Sequence, residues 1–183
     1  MTRVFIGLGS NQGDSRGLLR EALTRLEPRV AGGLAAVSSL YRTAPVGYTQ
    51  QPDFLNAVAE FCGEGPPDAW LDQLLAVEAG LGRRRDGPRW GPRPVDLDLL
   101  AVGGHTQATP RLTLPHPRIR ERRFVLAPWA EIAPDFVLPD GSSVARLLAE
   151  CGDDGAVALV GGPGWARDTN DGEGRADEPI PGG

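Results

Sequence analysis

Apolar and polar positions alternate along this chain in two periods, and the switches between them outline a fold. Residues 3–8 form a short β-rich run that stops at Gly7-Leu8-Gly9-Ser10-Asn11, which reads as a strand closed by a turn. Over 14–27 the period lengthens: Leu18, Leu19, Ala22, Leu23 and Leu26 share one face at helical spacing, with Asp14 or Ser15 placed to cap the first turn. Runs at 35–41 and 54–61 predict two more strands, separated by a loop over 44–52 rich in Pro, Gly and Gln. Pro66-Pro67-Asp68 opens a second helix with an apolar stripe of Trp70, Leu74, Val77 and Leu81, and Gly82 ends it. The stretch 83–94 is too rich in Pro and Gly for regular structure, and 95–102 predicts a fourth strand. A hairpin follows, then a short helix over 119–129 with Pro128 near its end. A helix over 142–151 capped by Ser142 or Ser143 and a small edge strand over 156–160 complete the pattern.

The core order, β-α-β-β-α-β, predicts the α/β (α+β) class: a ferredoxin-like βαββαβ sandwich with an added C-terminal hairpin and helices. Residues 1–160 are expected to form a single domain, which a chain of 183 residues accommodates. From Gly161 onward there are seven Gly, three Pro, five acidic residues and two Arg. That composition buries too little apolar surface to offset chain entropy, so 161–183 is expected to be a flexible, disordered tail.

No apolar run approaches the ~20 residues needed to cross a bilayer, so no membrane association is expected. The start of the chain reaches glycine and polar residues too early for a signal peptide. Cys62 and Cys151 stand far apart, in no metal or redox spacing, which predicts a cytoplasmic protein.

Two absences narrow the chemistry. All 19 basic residues are arginine, so a Walker A loop, a kinase-type phosphate lysine and Schiff-base chemistry are excluded. Only His105 and His116 supply imidazoles, which argues against a zinc site built from several of them. Charge is also uneven. Residues 83–123 hold ten Arg against four acidic residues, a net of +6 within a chain of −5. Such an island suits a local anionic ligand better than a broad nucleic-acid surface, although a solvated arginine face has the same signature.

Inside the island lies Val95-Asp96-Leu97-Asp98-Leu99-Leu100. On a strand, residues two apart share a face, so Asp96 and Asp98 project together. Two neighbouring carboxylates on an apolar strand repel each other and are costly to desolvate. A divalent cation with hard oxygen ligands resolves both problems, and so does pairing with the abundant arginines. The residues alone leave those two readings level. Beside the pair, the loop 83–94 offers guanidinium forks matched to phosphate oxygens, with Trp90 between Arg89 and Arg93. His116, in Leu114-Pro115-His116-Pro117, reads as a phosphate donor or a plain turn histidine. Glu78 lies on the Leu71/Leu75 side of the second helix, partly buried toward the arginine loop, as a nucleotide contact or a surface glutamate. Gly7, Gly9 and Gly13 miss the dinucleotide-binding spacing and have no acidic residue closing a following strand.

In this order and spacing, Gly9-Ser10-Asn11, Tyr41-Arg42-Thr43-Ala44-Pro45, Gln51-Pro52-Asp53-Phe54-Leu55-Asn56, Arg89-Trp90-Gly91-Pro92-Arg93 with Asp96-Leu97-Asp98, and Leu114-Pro115-His116-Pro117 occur together. The chain thereby resembles the hydroxymethyl-dihydropterin pyrophosphokinases of folate biosynthesis, across about residues 3–148. The resemblance implies transfer of pyrophosphate from ATP to the hydroxymethyl group of 6-hydroxymethyl-7,8-dihydropterin, with AMP released. It implies two Mg2+ ions on Asp96 and Asp98, and catalytic roles for Arg83, Arg93 and Asp98, the last also as acceptor of the hydroxyl proton. Glu78, Arg85, Trp90, Arg93, Leu99, Arg111, Thr113, His116 and Arg122 would contact ATP. Thr43, Ala44, Val46, Phe54, Asn56, Trp90 and Phe124 would hold the pterin, with Phe54 and Phe124 stacking on its faces. The family further implies a monomer.

Three positions depart from the family's pattern: Phe54 where tyrosine is common, Pro117 where an aromatic or polar residue is common, and Leu75 where a glutamine often meets the nucleotide. Two other classes compete with the enzyme. One is a ferredoxin-like nucleic-acid-binding module using the same arginines, which the net charge disfavours. The other is a non-catalytic pterin- or nucleotide-binding protein.

Overall fold

The structure, a computed structural model, describes residues 1–27, 32–45, 47, 49–84 and 91–167. The strands are β1 (Thr2–Ser10), β2 (Leu34–Val37), β3 (Leu40–Thr43), β4 (Phe54–Gly63), β5 (Asp96–Val102), β6 (Gln107–Ala108), β7 (Thr113–Leu114) and β8 (Val157–Gly161). The α-helices are α1 (Ser15–Leu26), α2 (Pro67–Gly80), α3 (Arg123–Ile132) and α4 (Val144–Glu150), joined by 3-10 helices at Ile119–Glu121 and Pro163–Ala166. This is an α+β fold on an antiparallel sheet.

In the main sheet the order is β5-β1-β4-β3-β8, with β2 also on β4, while β6 and β7 make a separate hairpin. β1 sits between β4 and β5, and every residue from Val4 to Ser10 is buried because both faces are covered. Alternation sorts its side chains into two layers. Val4, Ile6 and Leu8 join Leu97 and Leu99 against Leu19, Leu23 and Leu26 of α1 and Trp70, Leu74 and Val77 of α2. On the other face Phe5, Val58 and Leu100 pack against Leu126 and Trp129 of α3 and Val144 and Leu147 of α4. Phe5 anchors this second layer, its ring centroid 5.0 Å from Trp129 and 4.5 Å from Phe136.

Caps set the helix starts. Asp14 accepts from the Gly17 N–H at 3.0 Å, and Ser143 Oγ accepts from the Arg146 N–H at 3.2 Å. Elsewhere the structure corrects the expectations. The strand expected over 35–41 is two strands, because at the break Ser39 turns away from the ladder. Its N–H donates to both carboxylate oxygens of Glu131 at 3.0 Å, and its hydroxyl donates at 2.7 Å. The helix expected over 119–129 is a 3-10 turn followed by α3, which continues past Pro128 to Ile132.

The boundary at 160/161 also moves. Gly161 pairs with Leu40, and Trp165 is 1% exposed, its Nε1–H donating to the Ser38 carbonyl at 2.8 Å. The rest of the expected tail, 168–183, lies outside the described residues. Among the described residues, no helix is long and apolar enough to cross a membrane.

Candidate active site

The antiparallel register places two rows of three positions side by side at one end of the sheet. Gly9 of β1 lies opposite Asp96 of β5 and Asn56 of β4; two residues back, Gly7 lies opposite Asp98 and Val58. Only hydrogens project from β1 here, which opens a floor between the carboxylates and the β4 side chains. A Cβ on Gly9 would meet Asn56 Oδ1 at 3.2 Å and Asp96 Cβ at 3.8 Å. The alternation of half-buried Asp96 and Asp98 with buried Leu97 and Leu99 confirms that both carboxylates share the open face.

Each carboxylate meets arginine. The Arg83 guanidinium bridges Glu78 and Asp96, Arg93 Nη1 lies 2.5 Å from Asp96 Oδ2, and Arg122 Nη1 lies 2.9 Å from Asp98 Oδ2. Three carboxylates thus face three guanidiniums in a cluster near electroneutrality. Glu78 is far more buried than its sequence position suggests, at 2% exposed. It accepts from the Leu97 N–H at 2.8 Å, locking α2 to β5 between the two aspartates. Burial opposes the charge on Arg83, but Asp96 and Glu78 outweigh it and raise its pKa above the ordinary value. Burial lowers the pKa of His116; Asp98 opposes that shift, while Arg122 and Arg118 add to it. Its Nδ1 accepts from the Arg118 N–H at 3.2 Å, which leaves Nε2 as the proton-bearing nitrogen of the neutral ring.

Two cavities meet at this cluster. The larger, about 520 Å³, is lined by Gly7, Gly9, Thr43, Ala44, Phe54, Asn56, Arg93, Arg122 and Phe124, among others. Within it Asn56 Nδ2–H donates to Thr43 Oγ1 at 2.7 Å, presetting the edge of a polar wall. The smaller, about 380 Å³, lies beyond edge strand β5, between α2 and the β6–β7 hairpin. Leu71, Leu75, Glu78, Arg83, Leu99, Arg111, Thr113 and His116 line it. Asp96 and Asp98 line both cavities and form the partition between them.

That arrangement puts Glu78, Leu99, Arg111, Thr113 and His116, expected at ATP, on the smaller cavity and Thr43, Ala44, Phe54, Asn56 and Phe124, expected at the pterin, on the larger, whereas Arg93 and Arg122, also expected at ATP, line the larger one. Residues 5–134 match the family described as 7,8-dihydro-6-hydroxymethylpterin-pyrophosphokinase (HPPK). The chain belongs to the HPPK family.

Its curated relatives include the 2-amino-4-hydroxy-6-hydroxymethyldihydropteridine pyrophosphokinase of Methylorubrum extorquens, 46% identical over 150 residues, 82% of this chain and 94% of that one. The enzyme of the same name from Pseudomonas aeruginosa is 43% identical over 159 residues, covering 87% of this chain and 98% of that one. Among solved structures, the Plasmodium falciparum HPPK-DHPS crystal structure with pteroate superposes with a TM-score of 0.65 at 13% identity. That match covers 81% of this chain, which spans 43% of the HPPK-DHPS chain, and it carries the fold. The pyrophosphokinase activity of the HPPK family, in folate biosynthesis, is this chain's activity. It displaces the nucleic-acid module and the non-catalytic binder as readings of the arginine island.

Val46, Arg85 and Trp90 lie outside the described residues. Every other residue singled out for the site lines one cavity or both. Of the two readings of the aspartate pair, the arginine pairing is formed, and the pair also faces both cavities. The turn expected at Gly7-Leu8-Gly9-Ser10-Asn11 is instead strand, because β1 continues to Ser10, and the two glycines serve as the floor of the larger cavity. Arg118 and Arg120, in the cationic run before α3, further line the larger cavity.

Proposed function

We propose that the larger cavity takes the pterin and the smaller one ATP, with the pyrophosphoryl group crossing between them at Asp96 and Asp98. The observation that carries this reading is that one carboxylate pair borders both cavities. The larger volume is of the size of ordinary small-molecule sites. A flat heterocycle fits between Phe54 and Phe124, with Thr43, Ala44 and Asn56 at its edge. In the smaller cavity Leu75 and Leu99 offer the nucleobase an apolar wall. Glu78, already bound to Arg83 and the Leu97 N–H, acts there as a positioning group.

The donor set fits magnesium. Two half-buried carboxylates on one strand face supply hard oxygens, and Mg2+ takes one or two carboxylates with substrate phosphates completing its shell. Asp96 and Asp98 would hold two ions, which supply charge neutralisation at the phosphates.

The chain's own groups do the rest. Arg83, Arg93 and Arg122 can each exchange a carboxylate for a phosphate oxygen without travelling far. Arg111 and Thr113 line the outer part of the nucleotide cavity, and neutral His116 donates from Nε2. The pterin hydroxyl oxygen forms a bond to the β-phosphorus as the bond from that phosphorus to the α,β-bridging oxygen breaks. The bridging oxygen leaves on AMP, and the hydroxyl proton passes to Asp98. Catalysis then rests on positioning and charge stabilisation. Residues 1–160, extended to Arg167, would act as one ferredoxin-like catalytic domain, a cytoplasmic monomer that binds neither nucleic acid nor membrane.

Product analysis tests this reading. With ATP, Mg2+ and 6-hydroxymethyl-7,8-dihydropterin, AMP and the pterin diphosphate are expected in equal amounts, with near-complete loss in Asp96→Ala. ADP as the nucleotide product would overturn the transfer chemistry.

A further inference from the structure

Helix α3 begins on a residue that cannot cap it. The position before its first turn is Arg122, whose side chain makes no capping hydrogen bond because a guanidinium has no acceptor. That side chain is committed elsewhere: Nη1 lies 2.9 Å from Asp98 Oδ2, and the guanidinium stands over the Phe124 ring, 5.8 Å from its centroid. The leading N–H groups of a helix have no partner within it, so α3 needs an acceptor from outside.

Asp153 supplies one. Its Oδ2 accepts from the Arg123 N–H at 3.0 Å, while Oδ1 accepts from the Gly155 N–H at 2.9 Å. Asp153 lines the larger cavity and lies beyond residues 5–134, which carry the family match. Its loop, 151–156, is held at both ends. Before it, Val144 and Leu147 of α4 pack in the layer that holds α3; after it, β8 starts with Val157 opposite Thr43. Arg123 stands between Arg122 and Phe124, which both line the larger cavity. One hydrogen bond from Asp153 therefore holds the main chain that carries the arginine at Asp98 and the ring at the cavity wall.

We infer that Asp153 is a positioning residue for the transfer: as the remote cap of α3, it sets where Arg122 meets the phosphate and Phe124 meets the pterin. An acceptor side chain at position 122 would cap the helix from within but forfeit the guanidinium at Asp98, so the cap comes from the C-terminal loop instead. The inference rests on the proposed assignment of the larger cavity to the pterin.

Steady-state kinetics on the full chain test it. In Asp153→Ala, kcat/KM for 6-hydroxymethyl-7,8-dihydropterin is expected to fall by about 10–100-fold, the scale of loss when reacting groups are misplaced by about 1 Å, while KM for ATP moves by less than about threefold. Asp153→Asn keeps a carbonyl oxygen for the Arg123 N–H and should stay within about threefold of the unaltered chain. Ser143→Ala removes the cap of α4, which lines neither cavity; it should lower the melting temperature comparably with kcat/KM unchanged. Asp153→Ser, whose oxygen stops one bond short, replaces Asp153→Ala if that variant fails to fold. An unchanged kcat/KM in the variant that lacks the acceptor overturns the inference. So does a loss in Asp153→Asn or in Ser143→Ala equal to that in Asp153→Ala. Gly9→Val, which narrows the larger cavity directly, separates this failure from the other: if it leaves the pterin KM unmoved, the cavity assignment falls and the inference with it.

Discussion

Arg122 Nη1 stands 2.9 Å from Asp98 Oδ2, tying the carboxylate that borders both cavities to the residue that opens α3. The pair is half-buried, so its Coulombic attraction is screened and its contribution to stability is modest. Its consequence is local charge. Asp98→Asn keeps the volume but leaves Arg122 without its anionic partner and the partition with half its negative charge. AMP formation should fall by about 10²–10³-fold, the usual loss when one electrostatic group of a transition-state site is removed. The melting curve should stay cooperative. Activity within a few-fold of the unaltered chain would show that Asp98 neither holds an ion nor takes the proton.

Gly9 carries a different dependence. A side chain there enters the floor of the larger cavity, since a Cβ would already stand 3.2 Å from Asn56 Oδ1 and 4.0 Å from the Phe54 ring. Gly9→Val is expected to raise the KM for the pterin by about tenfold, equivalent to about 1.4 kcal/mol of binding, with a much smaller change for ATP. Equal increases for both substrates would place the defect in the sheet instead.

Legibility differed between the two halves of the problem. Helices α1 and α2 followed from one apolar face at helical spacing, and strands β1, β4 and β5 from short apolar runs, because burial of those elements is written in their own residues. The β2/β3 break did not, because it depends on Glu131 reaching Ser39 from 92 residues away. The site divides similarly. Alternation alone placed Asp96 and Asp98 on one face. Their position between two cavities required the register of β1 against β5, which no local pattern contains.

His116 gives the site a pH dependence of definite sign. Burial holds its pKa below the ordinary 6.5, so the unfolded chain takes up the proton more readily than the folded one. The stability that the neutral imidazole contributes is present above 6.5 and is lost as the pH falls from there through the depressed folded value. Urea midpoints measured at descending pH should therefore fall more steeply for the unaltered chain than for His116→Gln. Parallel profiles would remove His116 from the linkage.

Tyr41 titrates in the opposite sense. Burial first, and then its hydrogen bond to Glu131 Oε2 at 2.8 Å, push its pKa up to about 12 from 10.0. Stability associated with the protonated phenol is complete below pH 10.0 and declines as the pH rises toward 12. Glu131→Gln should bring the tyrosinate absorbance transition of Tyr41 to lower pH. The same change weakens the acceptor for the Ser39 N–H, at a cost of about 1–3 kcal/mol. An unmoved transition would mean that the phenol is held up by burial alone.

Trp165 carries the folded unit past residue 160. It lies in Gly161-Gly162-Pro163-Gly164-Trp165, a composition that reads as tail, yet its indole is buried in the layer that holds α1 and its Nε1–H is bonded to Ser38. Ser38 also carries Val58 through its own backbone and hydroxyl, so the indole closes the seam where β2 gives way to β3. A single well-placed aromatic can thus outweigh the glycines around it, because ring burial is large and localised. Trp165→Ala should cost about 3–5 kcal/mol, the range for emptying a buried aromatic site. A chain ended at Val160 should melt well below one ended at Arg167. Equal melting temperatures for the two truncations would return the boundary to residue 160 and make the burial of Trp165 incidental.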